Sequence, residues 1–232
     1  MNTPFVDKKT WLAARLDLLK KEKALTQARD ELSSERRKLP FVQITKDYCF
    51  DTVRGQERLP SLFKERSQLI VYHFMFGQSW EEGCPSCSFW MDNLDGIEAH
   101  LAARDTAFAV ISTASLETLL AYKQRMGWQF DWVSSGRSDF NQDFGVTFPE
   151  GADDSNRYNY TSQTFGEEMP GMSVFKRFDD NTIGHAYSTY ARGLDSLNGT
   201  YQLLDLTPNG RDEGERPYPM AWVHRKDQYP EE

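Results

Sequence analysis

No apolar run in this sequence approaches the roughly 18 residues that a bilayer-spanning helix needs; the near-continuous run Leu69–Phe76 is eight residues long. The opening residues Met1–Lys9 hold no apolar signal core, so the expectation is a cytoplasmic protein with no membrane partner. Positive charge is short as well. The 27 Lys and Arg stand against 35 Asp and Glu, a net charge of −8, whereas a general nucleic-acid binder needs a basic face to displace counterions from phosphate. No nucleic-acid partner is expected. Glycines never fall as Gly-x-Gly-x-x-Gly after a strand, and no phosphate-cradling loop is visible, which argues against a resident nicotinamide or flavin; no cofactor is expected. Cysteine is scarce, with three in 232 residues. Three cannot pair fully, and structural disulfides are rare in a reducing compartment. A zinc site would need a second ligand pair, and Cys49, His73, His100 and His185 lie too far apart in sequence to supply one except by tertiary convergence; no metal is expected.

What the chain does have is apolar material, at 39% hydrophobic and 13% aromatic residues, enough for a globular fold with a full core. Between Lys8 and Lys38 there is neither Gly nor Pro, and Trp11, Leu18, Leu25, Leu32 and Leu39 recur every seven residues. This is the pattern of a long amphipathic helix. The other seam position holds Ala14, Lys21, Ala28 and Glu35, too polar for a strong coiled coil. Packing on its own subunit, or on a second subunit in a homodimer, is the expectation. Residues 8–38 carry a charge of +5, leaving −13 for the rest; this arm either docks on an acidic body or presents a solvated face. Residues 1–40 therefore read as a helical arm and 41–232 as the main domain.

Beyond Pro40, Phe41–Thr45 and Tyr48–Val53 are rich in β-branched and aromatic residues and read as two strands of one hairpin. Ser61 reads as the cap of a short helix running to Arg66. Leu69–Phe76 is a strand buried on both faces. Pro85 suits a first helical turn, and Phe89, Leu94, Ile97 and Leu101 extend one apolar face to about Ala103. Thr106–Thr113 is a second central strand, Ser115 opens a helix that Gly127 ends, and Phe130–Val133 is a third strand. Residues 134–168 carry Phe140, Phe144, Phe148, Tyr158, Tyr160 and Phe165 without a sustained period and read as an insertion. Met172–Phe178 and Thr182–Tyr190 form a second hairpin, Leu194–Leu204 a last helix, and a polar tail fills about 207–232, with Met220–Val223 as a short edge strand.

The chemistry concentrates in Gly83-Cys84-Pro85-Ser86-Cys87, a dithiol at a helix start directly after a buried strand. Cys84 at the helix N-terminus would meet unpaired backbone amides and the positive end of the helix dipole, which favours thiolate over thiol. Cys87, one turn on, would resolve a mixed disulfide into a Cys84–Cys87 bridge. Pro85 and Ser86 lie between them, where a substrate would touch the helix start, and Trp80 and Trp90 flank the motif as walls of a groove or as core. Glu81 and Glu82 stand just before Cys84 and would oppose a thiolate if they pointed inward.

The order strand, Cys-x-x-Cys helix, strand, helix, strand, hairpin and last helix resembles the thioredoxin fold over about residues 41–206. More specifically, Tyr72-His-Phe-Met-Phe-Gly-Gln-Ser-Trp-Glu-Glu-Gly-Cys-Pro-Ser-Cys-Ser-Phe-Trp90, Tyr187-Ser-Thr-Tyr-Ala-Arg-Gly193 and Asn198-Gly-Thr-Tyr-Gln-Leu-Leu-Asp-Leu-Thr-Pro208 resemble the DUF899 family, described as thioredoxin-like dithiol-disulfide oxidoreductases. The resemblance implies an α/β fold with a central mixed sheet flanked by helices, the long N-terminal helix and the insertion being additions. It implies that Pro170 is the cis-proline facing the dithiol, with Met169 offering backbone groups to an extended substrate. It also implies a protein or small-molecule disulfide or thiol as substrate and an external thiol reductant. Two alternatives stand beside it. The loop from Phe76 to Cys84 resembles that of peroxiredoxins in length, although Gly77 and Glu81 occupy the places of that family's Pro and Thr; the third reading is a non-catalytic binding module.

Overall fold

The computed structural model describes residues 5–148, 158–160 and 166–230. Phe165 and residues 149–157 and 161–164 of the insertion lie outside the described residues. The chain divides into two compact units, Met1–Pro40 and Phe41–Glu232. The first is a single helix, α1 (Lys8–Arg36), capped by Asp7, whose carboxylate accepts from Thr10 N–H at 2.7 Å. No residue of α1 is buried, and Trp11, Leu18, Leu25 and Leu32 are about half exposed. Among the described residues no helix is long and apolar enough to cross a membrane.

The second unit is built on one eight-stranded sheet. Its strands are β1 (Val42–Gln43), β2 (Cys49–Thr52), β3 (Gly55–Arg58), β4 (Gln68–His73), β5 (Thr106–Ser112), β6 (Trp132–Ser134), β7 (Gly171–Arg177) and β8 (Ile183–Tyr190), in the spatial order β1-β8-β7-β4-β5-β6-β2-β3. Strands β4, β5 and β6 are parallel neighbours, while β7 runs antiparallel to both β4 and β8. The central order β8-β7-β4-β5, with a parallel pair joined through a helix and an antiparallel hairpin on the other side, is the thioredoxin-like arrangement.

Alternation along β4 sorts the two sides of the sheet. Tyr72 and Phe74 face α2 (Pro85–Leu94), α4 (Leu116–Met126) and α6 (Gly199–Leu204), in a cluster with Cys87, Trp90, Leu119, Tyr122, Trp132 and Tyr201. Leu69 and Val71 face the opposite way, onto Leu59, Leu62 and Phe63 of a 3-10 helix and onto Phe140 and Phe144 of the insertion. Phe140 belongs to α5 (Phe140–Asp143), so the insertion supplies core. It is tied to the end of β5 by Glu168, a buried carboxylate that accepts from Thr113 at 2.6 Å and Thr147 at 2.9 Å and that burial pushes up to about 7.

Several expectations are corrected. Phe41–Thr45 and Tyr48–Val53 do not pair with each other; β2 pairs with β3 across a turn at Val53-Arg54, and β1 joins the far edge beside β8. Alternating β-branched residues announce a strand without naming its partner. Ser61 caps nothing; Pro60 opens a 3-10 helix, Leu59–Phe63, that ends where Lys64 turns left-handed. The helix after the dithiol stops at Leu94 because Gly96 takes φ +87°, and α3 (Glu98–Ala102) starts afresh; only glycine adopts that angle without strain. The last helix is split into a 3-10 stretch, Ala191–Leu197, and α6, which Asn198 caps through Tyr201 N–H at 3.0 Å. Met220–Val223 forms turns, not a strand.

Pro170 is not a cis-proline, since no peptide bond among the described residues is cis. Trans is favoured by about 0.5–1 kcal/mol for any X-Pro bond, and here the chain passes straight into β7, with the Pro170 carbonyl held by the Tyr158 hydroxyl at 2.8 Å.

Candidate active site

Cys84 is the N-cap of α2, and Pro85 occupies the first helical position, where no backbone donor is needed. The loop before it is clasped by the continuation of β4: Cys84 N–H donates to the Met75 carbonyl at 3.1 Å, and Met75 N–H donates to Cys87 Sγ at 3.4 Å. Gly83 must lack a side chain, because a Cβ there would stand 2.8 Å from the Phe74 ring and 3.0 Å from Tyr122.

The two thiols differ in surroundings. Cys84 is half-buried and Cys87 is buried; both are free. The Cys84 sulfur accepts hydrogen bonds from the Cys87 thiol, from backbone N–H of Cys87 and Ser86, and from the Ser86 hydroxyl, and these pull it down to about 7 against the opposing effect of burial. Bringing a thiol from 9.0 to about 7 requires roughly 2–3 kcal/mol. A helix N-terminus supplies about 0.3–1 kcal/mol in most settings, so the converging donors carry much of it. Cys87 is pushed well up, first by burial and then by the neighbouring Cys84, while the Tyr72 hydroxyl donates to its sulfur. Tyr72 was open to discovery from the alternation of β4; nothing in the motif itself points to it.

The acidic pair before the dithiol is answered from elsewhere in the chain. Glu81 is exposed. Glu82 pairs with Arg125 of α4 and, at 2.9 Å, with Arg225 of the tail, and both hold it below the usual carboxylate range. Arg225 also donates twice to the Gly83 carbonyl, at 2.7 and 3.1 Å, and to the Tyr122 hydroxyl at 2.9 Å. Tyr122 in turn is bonded to Ser88, whose hydroxyl donates to the Cys84 carbonyl. The segment read as a polar tail is thus a clamp on the dithiol loop. Replacing Arg225 by Ala is expected to raise the pH of half-maximal Cys84 alkylation, since Glu82 loses a cation, and to lower stability by about 1.5–3 kcal/mol, the scale of a charge-assisted bond. Partial recovery in Arg225→Lys would separate charge from fork geometry; an unmoved alkylation profile in Arg225→Ala would count against the clamp.

Beside the dithiol lies a cleft of about 550 Å³. It is lined by Tyr72, Ser86, Cys87 and Pro170, by the apolar Trp90, Leu194, Tyr201 and Met220, and by the charged Arg192, Asp195, Asp205, Arg211 and Glu213. Ser86, Pro170 and Cys87 therefore meet in one place. Cys84 and Pro85 stand at the helix start next to it. Trp80 does not line the cleft; it packs on the main cluster and covers Gly77. Met169 packs against Val146, Tyr158 and Tyr190 and does not line the cleft. Cys49 lies on β2, near the sheet edge remote from β4. His73 is buried on the opposite face, bonded to Ser173 at 2.8 Å and pushed down to about 3 by burial. His185 lies on the same side against Phe144 and Phe175. Among the described residues no group of three His, Cys, Asp or Glu side chains is arranged to hold a metal ion.

No curated protein matches the chain in sequence. Solved structures similar to it include peroxidoxin BcpB from Mycobacterium tuberculosis, at 12% identity, 71% of this chain and 97% of that one, with a TM-score of 0.48. A cysteine variant of peroxiredoxin Q from Xanthomonas campestris shows 11% identity over 68% and 89% of the two chains, with a TM-score of 0.47. The corresponding protein from Xylella fastidiosa shows 10% identity over 67% and 89%, with a TM-score of 0.43. In sequence, residues 1–229 match the family described as a bacterial protein of unknown function, DUF899. With nearly its whole length matched, and with the thioredoxin-like sheet that carries its dithiol, this chain belongs to the DUF899 family.

Proposed function

We propose that this protein is a thiol–disulfide oxidoreductase in which Cys84 attacks and Cys87 resolves. The observation that carries the reading is the unequal setting of the two sulfurs: Cys84 half-buried at a helix N-cap under several converging donors, Cys87 buried one turn behind it. The Cys84 thiolate attacks one sulfur of a substrate disulfide, forming a mixed disulfide and expelling the other half as a thiolate. Cys87 then gives up its proton to that leaving thiolate or to solvent and attacks Cys84 Sγ. The bridge closes, the second half leaves, and two electrons have passed from the dithiol to the substrate. An external dithiol reductant restores the pair.

Because Cys84 is drawn down to about 7, the rate of its alkylation by iodoacetamide is expected to rise with pH and to reach half its plateau near pH 7, since the thiolate is present above that value and lost as pH falls through it. A half-point near the ordinary thiol value would remove the activation argument. The decisive test is equilibration in graded reduced and oxidised dithiothreitol, followed by alkylation and mass spectrometry. A reversible Cys84–Cys87 bridge with Cys49 still alkylated is the expected result; a pair that never bridges defeats the proposal. Consumption of hydrogen peroxide through a sulfenic acid on Cys84, without reduction of disulfides, would transfer the site to peroxidase chemistry.

A further inference from the structure

The backbone that an extended polypeptide would need beside the dithiol is already occupied. Met169 N–H donates to the Val146 carbonyl at 2.7 Å, and the Pro170 carbonyl accepts from the Tyr158 hydroxyl at 2.8 Å. From Gly171 onward the strand is paired on both sides, with His73 and with Tyr190. Binding of a peptide by strand addition requires free donors and acceptors along an edge, and β7 lies inside the sheet.

The cleft offers a different kind of surface. Its volume of about 550 Å³ falls in the range of about 300–1,000 Å³ typical of small-molecule sites. Its walls are aromatic and aliphatic, from Trp90, Leu194, Tyr201 and Met220. Its charged groups are spoken for. Arg211 lies 3.9 Å over the Tyr201 ring and bonds Asp195 at 3.0 Å and Asp205 at 2.8 Å. Glu213 accepts from the Tyr201 hydroxyl, from Trp222 Nε1 and from Met220 N–H, all within 3.0 Å. A neutral apolar body entering the cleft breaks none of these bonds, whereas an acidic one meets three lining carboxylates, Asp195, Asp205 and Glu213, against two arginines, Arg211 and the exposed Arg192, that already pair with Asp195.

We infer that the disulfide reduced at this site joins neutral, apolar, ring-sized organic groups, and that the cleft between Cys87 and Arg211 holds one of them while its sulfur meets Cys84 at the start of α2. The inference rests on the oxidoreductase reading above.

The test uses the full chain in its reduced form with four disulfides: 2,2′-dithiodipyridine, hydroxyethyl disulfide, oxidised glutathione and insulin. Each rate is divided by the rate of the same compound with free dithiothreitol, which removes differences in intrinsic reactivity. The normalised rate for dithiodipyridine is expected to exceed those of glutathione disulfide and insulin by about tenfold or more, corresponding to about 1.4 kcal/mol. Two variants at exposed lining positions, Ala191→Trp and Pro219→Trp, narrow the cleft. Each should lower the ratio of dithiodipyridine to hydroxyethyl disulfide rates, a readout that a general loss of folded protein does not move. An insulin rate equal to or above the aryl rate, or a ratio unmoved in both variants, overturns the inference and leaves the oxidoreductase reading standing. Rates no faster than free dithiothreitol with all four compounds defeat the oxidoreductase reading and this inference with it.

Discussion

Cys84→Ser is expected to abolish disulfide reduction, a fall of about a thousandfold or more, because a serine hydroxyl is not ionised near neutral pH and the thiolate is the attacking species. Cys87→Ser is expected to behave differently. The first attack proceeds, but no thiol is left one turn behind to collapse the mixed disulfide, so the protein accumulates covalently joined to half of its substrate. In a Cys49→Ser background, intact-mass measurement after exposure to a small disulfide should therefore show an adduct on Cys87→Ser, none on Cys84→Ser, and an internal bridge in the chain with both cysteines. Adduct formation on Cys84→Ser at the unaltered rate would reverse the assignment, making the buried Cys87 the nucleophile. The environments argue against that outcome, because Cys87 is pushed up by burial and by its neighbour while Cys84 is drawn down.

Phe140→Ala is expected to give the largest loss of stability, about 3–5 kcal/mol. The ring is fully buried and meets five aromatic partners: Tyr48 and Phe50 edge-on at 5.0 and 5.1 Å, Phe144 at 4.6 Å, Phe175 at 6.0 Å, and the His73 ring stacked at 5.7 Å. Truncation leaves a void that the sheet, paired on both sides, cannot close. For a chain of this size that corresponds to a fall of roughly 6–20 °C in melting temperature. The half-point of Cys84 alkylation should stay put, since Phe140 packs on the face of the sheet away from α2. A melting point unchanged within a degree or two would reduce α5 to an ornament on the fold.

The contrast between these two residues explains which parts of the molecule were readable in advance. Cys84 announces itself by local signals: an apolar strand, a glycine, a proline at the first helical position and a second cysteine one turn on. Ser115 and Gly127 bracket α4 in the same way, one accepting from Thr118 N–H and the other turning left-handed, and the β7–β8 hairpin is marked by the turn at Asp179–Asn181. Phe140 sits in a stretch with no period, and its burial comes from partners up to about ninety residues earlier, Tyr48 and Phe50. The same holds for β1, whose partner His185 follows more than a hundred residues later. Propensity describes a segment; it does not say what the segment meets. Pro170 failed for another reason, since its geometry was carried over by resemblance while the structure uses the carbonyl to anchor Tyr158. The dithiol motif was legible, but Arg225 and the cleft around Tyr201 emerge only when distant elements converge.

The clamp from Arg225 to Gly83 spans 142 residues, and this has a consequence for the order in which the protein is made. At about 5–20 residues per second, a ribosome adds Arg225 roughly 7–30 seconds after Gly83. Throughout that interval the nascent chain carries Cys84 on an untied loop, with Glu82 lacking one of its cations and the Met220 wall of the cleft not yet present. The motif is therefore translated long before the site exists, and a ribosome stalled within that window would hold a nascent chain that possesses both cysteines but not the surroundings that set them apart.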